Sequence, residues 1–319
     1  MNFCIGPMSR AVVDATIEYA NIHSKPMIFI PSRRQIDWDG GYVGWNTEEF
    51  AKYVRNRTSY IRIERDHGGP GQGTYDDDGF ESLAADCKYL DIIHIDPWKK
   101  YPNFQDGLEW TVKMIEYCYK RNKNMRYEVG TEQGIRPFEV EELDRLVINL
   151  KELLSPEMFA QIEFIVIQCG TQLIEKSNCG EFDDSKLSAM ISMVASHGKK
   201  AKEHNGDWVT MDTVHRKGAL GLEYINIAPE MGEIETAEIL KKLSVEDREK
   251  MFQLCLVSGK WKKWVSKDFV PTDNKEKLTL ICGHYVFAYP SFHAIRVLYP
   301  EIHSAVNTSL SAKITELHI

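Results

Sequence analysis

Eight short apolar runs, each about four residues long and closed by polar or Gly punctuation, alternate with longer segments of helical spacing along the first 240 or so residues. The runs are Phe3 to Ile5, Met27 to Ile30, Tyr60 to Ile63, Ile92 to Ile95, Arg126 to Val129, Phe164 to Ile167, Lys200 to Glu203 and Tyr224 to Ile227. Runs this short suit strands buried on both faces, as in a parallel sheet. The segments between them, such as 11–20, 47–54, 108–119, 140–154 and 187–196, place apolar residues at three- and four-residue steps. At the second of these, Thr47 is the expected N-cap, with Phe50 and Val54 facing inward. Eight βα units predict a (β/α)8 TIM barrel. The seventh run, within KKAKEH, is polar for a barrel strand, and a doubly wound open sheet built from the same elements is the alternative.

The pattern changes after Ile234. Two further helices with a polar join at Ser244 to Asp247 are expected over 235–258, followed by the Trp/Lys-rich GKWKKWVSKDF (259–269). The aromatic CGHYVFAYPSFHAI (282–295) is expected to pack over the barrel. The predicted organisation is therefore a barrel over 1–240 and a helical, aromatic-rich C-terminal extension over 241–319.

Composition narrows the class. With 319 residues, 43% of them hydrophobic, the chain can bury one large core. A net charge of -8 implies no basic face, so nucleic acid is not an expected partner. The seven cysteines are scattered without a CxxC pair, as expected of reduced thiols in the cytoplasm rather than of a disulfide framework or zinc ribbon. No run of about 18 apolar residues exists, so no membrane span is expected. The opening MNFCIGPMSR lacks the pattern of an export signal.

In a barrel, polar residues at the C-terminal strand ends face the active site. Six successive strands end in such groups: Asp66 and His67; Asp96; Glu128 and Glu132; Gln168; His204, Asn205 and Asp207; and Asn226 and Glu230. Two imidazoles and a carboxylate form a common ligand set for a divalent cation. Asp66, beside His67, could serve as a general base. His94 and His197 lack this placement and read as structural, while His215, His284 and His293 could reach the mouth from loops. The glycines at 68, 69, 71 and 73 form neither a Walker nor a Rossmann fingerprint, and mark either a mobile active-site loop or a turn requiring positive φ. Arg33, Arg34 and Arg136, just past strand ends, are candidates for holding a phosphate or for solvated surface positions.

QIDWDGGYVGWNTEEF (35–50), DHGGP (66–70), HID (94–96), VGTE (129–132), IQCG (167–170) and HNGDW (204–208), in this order, resemble the tagatose-bisphosphate aldolase non-catalytic subunit family, relatives of the class II ketose-bisphosphate aldolases. The resemblance covers most of residues 3–240 and implies a TIM barrel. It makes Asp66 the proton-transfer residue, His67 and His204 ligands of a divalent metal (Zn²⁺), and Glu132 the strand-5 carboxylate, as catalytic group and ligand. Class II aldolases use three His ligands, and Gln168 stands in the remaining part of the site. Gln35, Asp96, Asn205, Asp207 and Asn226 are the candidate substrate-binding residues, and the resemblance has Asn226 contacting the triose part. The Gly-rich phosphate loops of those aldolases lack counterparts here.

The leading expectation is thus a metal-dependent aldolase-type lyase acting on a ketose or ketose phosphate through an enediolate. The alternative is a metal-dependent epimerase of a ketose or keto-acid sugar at the same site, and the third reading is a non-catalytic partner subunit of an aldolase. The expected partners are a small sugar or sugar phosphate, and either a second copy of the chain or a paired aldolase subunit.

Overall fold

The computed structural model describes residues 1–174, 177–180 and 182–318. Ten strands are present: β1 (Asn2–Ile5), β2 (Met27–Phe29), β3 (Ile61–Gly68), β4 (Ile92–Ile95), β5 (Arg126–Val129), β6 (Ile162–Ile167), β7 (Thr171–Ile174), β8 (Ser177–Gly180), β9 (Lys200–Glu203) and β10 (Tyr224–Ile227). Eight of them close into a parallel barrel in the order β1-β10-β9-β6-β5-β4-β3-β2, while β7 and β8 form a separate antiparallel hairpin. The eight runs read from the sequence are the eight barrel strands, so the chain is a (β/α)8 TIM barrel and not an open sheet. The hairpin has no counterpart in the sequence pattern.

Strand alternation explains the distribution of side chains. Phe3, Ile5, Phe29, Ile63, Ile93, Ile95, Val129, Ile165, Ile225 and Ile227 point outward into one continuous core with the surrounding helices. Cys4, Ile28, Ile92 and Phe164 point inward and form a smaller cluster inside the barrel. The interior is not apolar throughout. Lys202 of β9 is fully buried, with Nζ 2.6 Å from Glu64 Oε2 and 3.1 Å from Glu128 Oε2. The polar character of KKAKEH has its reason here: Lys202 lies between the carboxyls of Glu64 on β3 and Glu128 on β5, and burial raises the Glu64 carboxyl well above its usual range.

Local signals set the helix starts. The cap of the helix Thr47–Arg55 lies one residue before the expected one: Asn46 accepts from Glu49 N, and Glu49 closes a capping box. Thr47 lies inside the helix and receives Nη2 of the buried Arg65 at 3.1 Å. Phe50 and Val54 are buried as expected. Beyond the last barrel helix (Pro229–Lys242), the chain continues as Val245–Ser258, a 3₁₀ turn at Lys260–Trp264, and three helices at Lys275–Cys282, Pro290–Arg296 and Ile302–Leu317. The last packs on Arg10–His23 and Pro229–Lys242, burying Ile302, Val306, Leu310, Ile314 and Leu317 in the main core. No helix among the described residues is long and apolar enough to cross a membrane.

Candidate metal centre and cavity

At the C-terminal end of β3 the ladder with β4 shifts register between Arg65 and Gly68, and His67 takes a left-handed φ of 47°. A bulge of this kind re-aims side chains. Simple alternation would send Asp66 and His67 to opposite sides; instead Asp66 Oδ1 and His67 Nε2 lie 3.8 Å apart, on the same side.

Two more imidazoles face the same point. His94 Nδ1 is 3.9 Å and His204 Nδ1 3.5 Å from Asp66 Oδ1. One donor atom from each of Asp66, His67, His94 and His204 lies within 4.8 Å of the others. Each ring is anchored at its other nitrogen. His67 Nδ1 meets Asp96 Oδ2 at 2.6 Å, His94 Nε2 meets Gly130 O at 2.9 Å, and His204 Nε2 meets Glu128 Oε1 at 3.1 Å. Partners of this type fix the tautomer and orientation of a ligating imidazole. The inner atoms Asp66 Oδ1 and His204 Nδ1 are buried without a hydrogen-bond partner, whereas His94 Nδ1 also receives His67 N–H at 3.2 Å. Buried polar atoms left unpaired are costly unless something fills the space between them. Three imidazoles and a carboxylate suit a divalent transition cation, and this donor set fits one.

The electrostatics leave two of the three rings in the neutral form that a ligand needs, and favour a positive charge at the third. Burial and neighbouring positive charge hold His94 and His204 well below the ordinary histidine range, so both rings are neutral. Burial also opposes charge on His67, but Asp66 and Asp96 outweigh it and raise the ring to about 10. Carboxylates that favour a proton on this ring equally favour a metal cation at Nε2. Asp66 is pushed up to about 6 by burial, with His67 and Lys202 opposing.

Asp66, His67 and His204 line a cavity of about 320 Å³, with His94 buried behind them. Asn226 also lines it, 3% exposed, with neither its amide nitrogen nor its oxygen bonded to protein. Glu132 and Gln35 line it as well. Burial raises the Glu132 carboxyl above its usual range. Gln35 Oε1 is bonded to Ser32 N, and its amide nitrogen meets Met8 Sδ.

Several sequence-predicted residues have other work. Gln168, a predicted ligand, bonds through its amide nitrogen to Thr131 O and Arg136 O and accepts from Phe138 N, pinning the loop after β5 away from the cluster. Glu132 lines the cavity but is not among the clustered donors, whose third imidazole is His94, set aside in the sequence reading as structural. Asp96, predicted to bind substrate, is fully buried behind His67, where it also receives Gln72 and Thr131. Asp207 Oδ1 accepts from Ala228 N and Glu230 N at the start of the last barrel helix. The Asn205 amide is bonded to Thr171 O. Asp207 also lines the cavity, while Asp96 and Asn205 do not. His197 is paired with Asp144, and His215 and His293 are exposed and off the cavity.

The sequence reading did not name Lys263 and Trp264 of the 3₁₀ turn, which line the cavity together with Tyr285 of the aromatic stretch. His284 is buried beside them, against Tyr42 and Tyr285.

The sequence matches no family model and no curated protein. Solved structures are similar in fold. A probable tagatose 6 phosphate kinase from Sinorhizobium meliloti 1021 superposes with a TM-score of 0.80 at 15% identity, over 99% of this chain and 98% of that one. A fructuronate-tagaturonate epimerase from Cohnella laeviribosi gives 0.64 at 10% identity, over 99% and 81%. A fructose-bisphosphate aldolase from Campylobacter jejuni gives 0.56 at 11% identity, over 96% and 90%.

Proposed function

We propose that this chain is a metal-dependent enzyme of ketose chemistry, cleaving a ketose or ketose phosphate as an aldolase-type lyase. The observation that carries the reading is the convergence of three anchored imidazoles and Asp66 on one buried point that opens into a cavity. A divalent cation such as Zn²⁺, held by His67, His94 and His204, would supply Lewis acidity toward a substrate carbonyl and the negative charge of an enediolate. Asp66, the fourth donor, stands where it can exchange a proton with substrate. In cleavage it takes the proton of the hydroxyl β to the carbonyl, the carbon–carbon bond breaks, and its electron pair passes to the carbonyl oxygen. The nucleophilic carbon left behind is then protonated from the Asp66 or Glu132 carboxyl. Asn226, with both amide atoms unpaired, offers a donor and an acceptor to substrate oxygens. Trp264 and Tyr285 restrict water at the outer wall.

Epimerisation of a ketose or keto-acid sugar is the second reading. It uses the same groups, with a proton or an aldehyde returned to the opposite face, and the fold likeness to the Cohnella epimerase favours it. A purely non-catalytic subunit has no chemical need for unpaired donors aimed into a cavity.

Metal analysis followed by proton NMR of ketoses, ketose phosphates and keto-acid sugars in D₂O tests the proposal. Roughly one divalent cation per chain is expected, with cleavage products or an inverted centre. Asp66→Asn should slow turnover by about 100-fold or more at full metal occupancy. A metal-loaded protein inert toward every class of substrate would sink the reading.

A further inference from the structure

The cations on the loops around the barrel mouth fall into two groups. Most are paired. Arg33 Nε lies 2.9 Å from Asp37 and its Nη2 2.5 Å from Asp77, the buried Arg65 is paired with Asp86, and Arg136 with Glu142. Arg34, Lys99 and Lys263 line the cavity instead, and none has a carboxylate within ion-pair distance among the described residues. Arg34 Nε reaches Gly73 O at 3.4 Å and Lys99 Nζ donates to Gly71 O at 2.9 Å. Lys263 Nζ lies 4.4 Å from the centre of the Trp264 ring.

The three come from separate elements: the loop after β2, the loop after β4, and the 3₁₀ turn of the C-terminal extension. All three side chains are exposed at the cavity rim, so solvent screens much of their mutual repulsion. Desolvation on the cavity side and the neighbouring Arg34, Lys99 and Lys260 lower the Lys263 ammonium below the ordinary lysine range, with Glu132 opposing. Desolvation and Arg34 lower Lys99 in the same direction, with Asp96 opposing. An anion bound between the three would relieve the repulsion that remains. The glycine-rich loop acquires a role here, since its carbonyls at Gly71 and Gly73 hold two of the three cations in place.

We infer that Arg34, Lys99 and Lys263 form an oxyanion subsite at the outer end of the cavity, one that selects substrates bearing a terminal phosphate or carboxylate over neutral sugars. The subsite is completed by the extension, because Lys263 is not part of the barrel. It deepens the proposed function: the carbonyl end of the ketose lies at the His cluster and its anionic end at the rim.

The test is binding, independent of turnover. Isothermal titration of the full-length protein at low ionic strength uses inorganic phosphate, D-glucuronate and D-fructose as probes. Wild type is compared with Arg34→Met, Lys263→Met and the control Lys262→Met, which alters an exposed neighbour off the cavity. Phosphate, glucuronate or both should bind, and affinity should fall about tenfold or more in each of the first two variants while the control is unchanged, as expected when a charge-assisted hydrogen bond is lost. Which of the two ions binds identifies the anionic group. If neither binds, or both bind all variants equally well, or fructose binds as tightly as the anions, the subsite is refuted. Phosphate binding that depends on Lys263 in a protein inert toward ketoses would leave the subsite standing and refute the ketose reading; ketose turnover indifferent to Lys263→Met, with no anion bound, would do the reverse.

Discussion

Lys202→Met isolates the contribution of the buried charge inside the barrel. Lys202 lies fully buried between Glu64 and Glu128, at 2.6 and 3.1 Å. Methionine keeps an unbranched stem of nearly the same volume, so the cavity contribution is small and the loss is mainly electrostatic. Removing one partner of a buried ion pair costs about 3–5 kcal/mol. For a chain of this size each kcal/mol lowers Tm by roughly 2 °C, giving a fall of about 6–10 °C. Differential scanning calorimetry reads the fall directly. Adding Glu64→Gln removes one of the two carboxylates left without compensation and should recover at least about 1.5 kcal/mol, a coupling expected between residues in contact. A Tm for Lys202→Met within about 2 °C of wild type, or a double variant no more stable than the single one, would refute the view that Lys202 acts by charge compensation.

Three further outcomes follow from the same geometry. His94→Ala should lose bound metal as fully as His67→Ala and His204→Ala, while Gln168→Ala keeps it; metal analysis of the four purified variants decides between the two candidates for the remaining ligand. Burial, with Lys263 nearby, pushes His284 down to about 3, so its contribution to stability is complete above the unfolded pKa of about 6.5 and lost as pH falls toward 3, at about 1.4 kcal/mol per unit. Urea unfolding of His284→Gln should therefore lose about 2 kcal/mol less than wild type between pH of about 7 and about 5, and parallel losses would refute this. Deleting residues 302–318 exposes the faces covered by Ile302, Val306, Leu310, Ile314 and Leu317; at about 1.5–3 kcal/mol each the loss rivals the whole stability of a domain, so a soluble, cooperatively folding deletion variant would contradict the packing.

The barrel was legible because its outward strand residues must meet helices. Phe3, Ile5, Phe29, Ile63, Ile93 and Ile95 give each strand an apolar signature however polar its inner face is. β9 was the hardest strand to read for the same reason. Its inward Lys202 answers carboxylates on β3 and β5, more than 70 residues away in sequence, and no local pattern announces that pairing. The β7–β8 hairpin is four residues per strand and packs no alternating apolar face, so it leaves no periodic trace.

The site was half legible, and the division has a physical cause. Asp66, His67, His204 and Asn226 stand at strand ends, where barrel geometry alone brings them to the mouth. His94 was passed over because it lies inside β4, flanked by Ile92, Ile93 and Ile95, with all four residues buried. A buried histidine between isoleucines reads as core unless its facing direction is known. That direction was recoverable in part: Ile93 and Ile95 share one parity and meet the helices, so Ile92 and His94 share the other and face inward. Parity fails at the neighbouring strand, where the register shift and the positive φ of His67 turn Asp66 and His67 to one side. Non-glycine residues held in this conformation mark places where the surrounding structure overrides local preference. Gln168 misled for the converse reason. Its position at the end of β6 is right for a ligand, but three backbone groups of the loop after β5 hold its amide, using both N–H groups and one side of its oxygen. Donor type and strand position therefore identify candidates. Unpaired atoms mark Asp66 Oδ1 and His204 Nδ1 as ligand candidates; His94 Nδ1 accepts the His67 N–H, a bond that a cation at that nitrogen would replace.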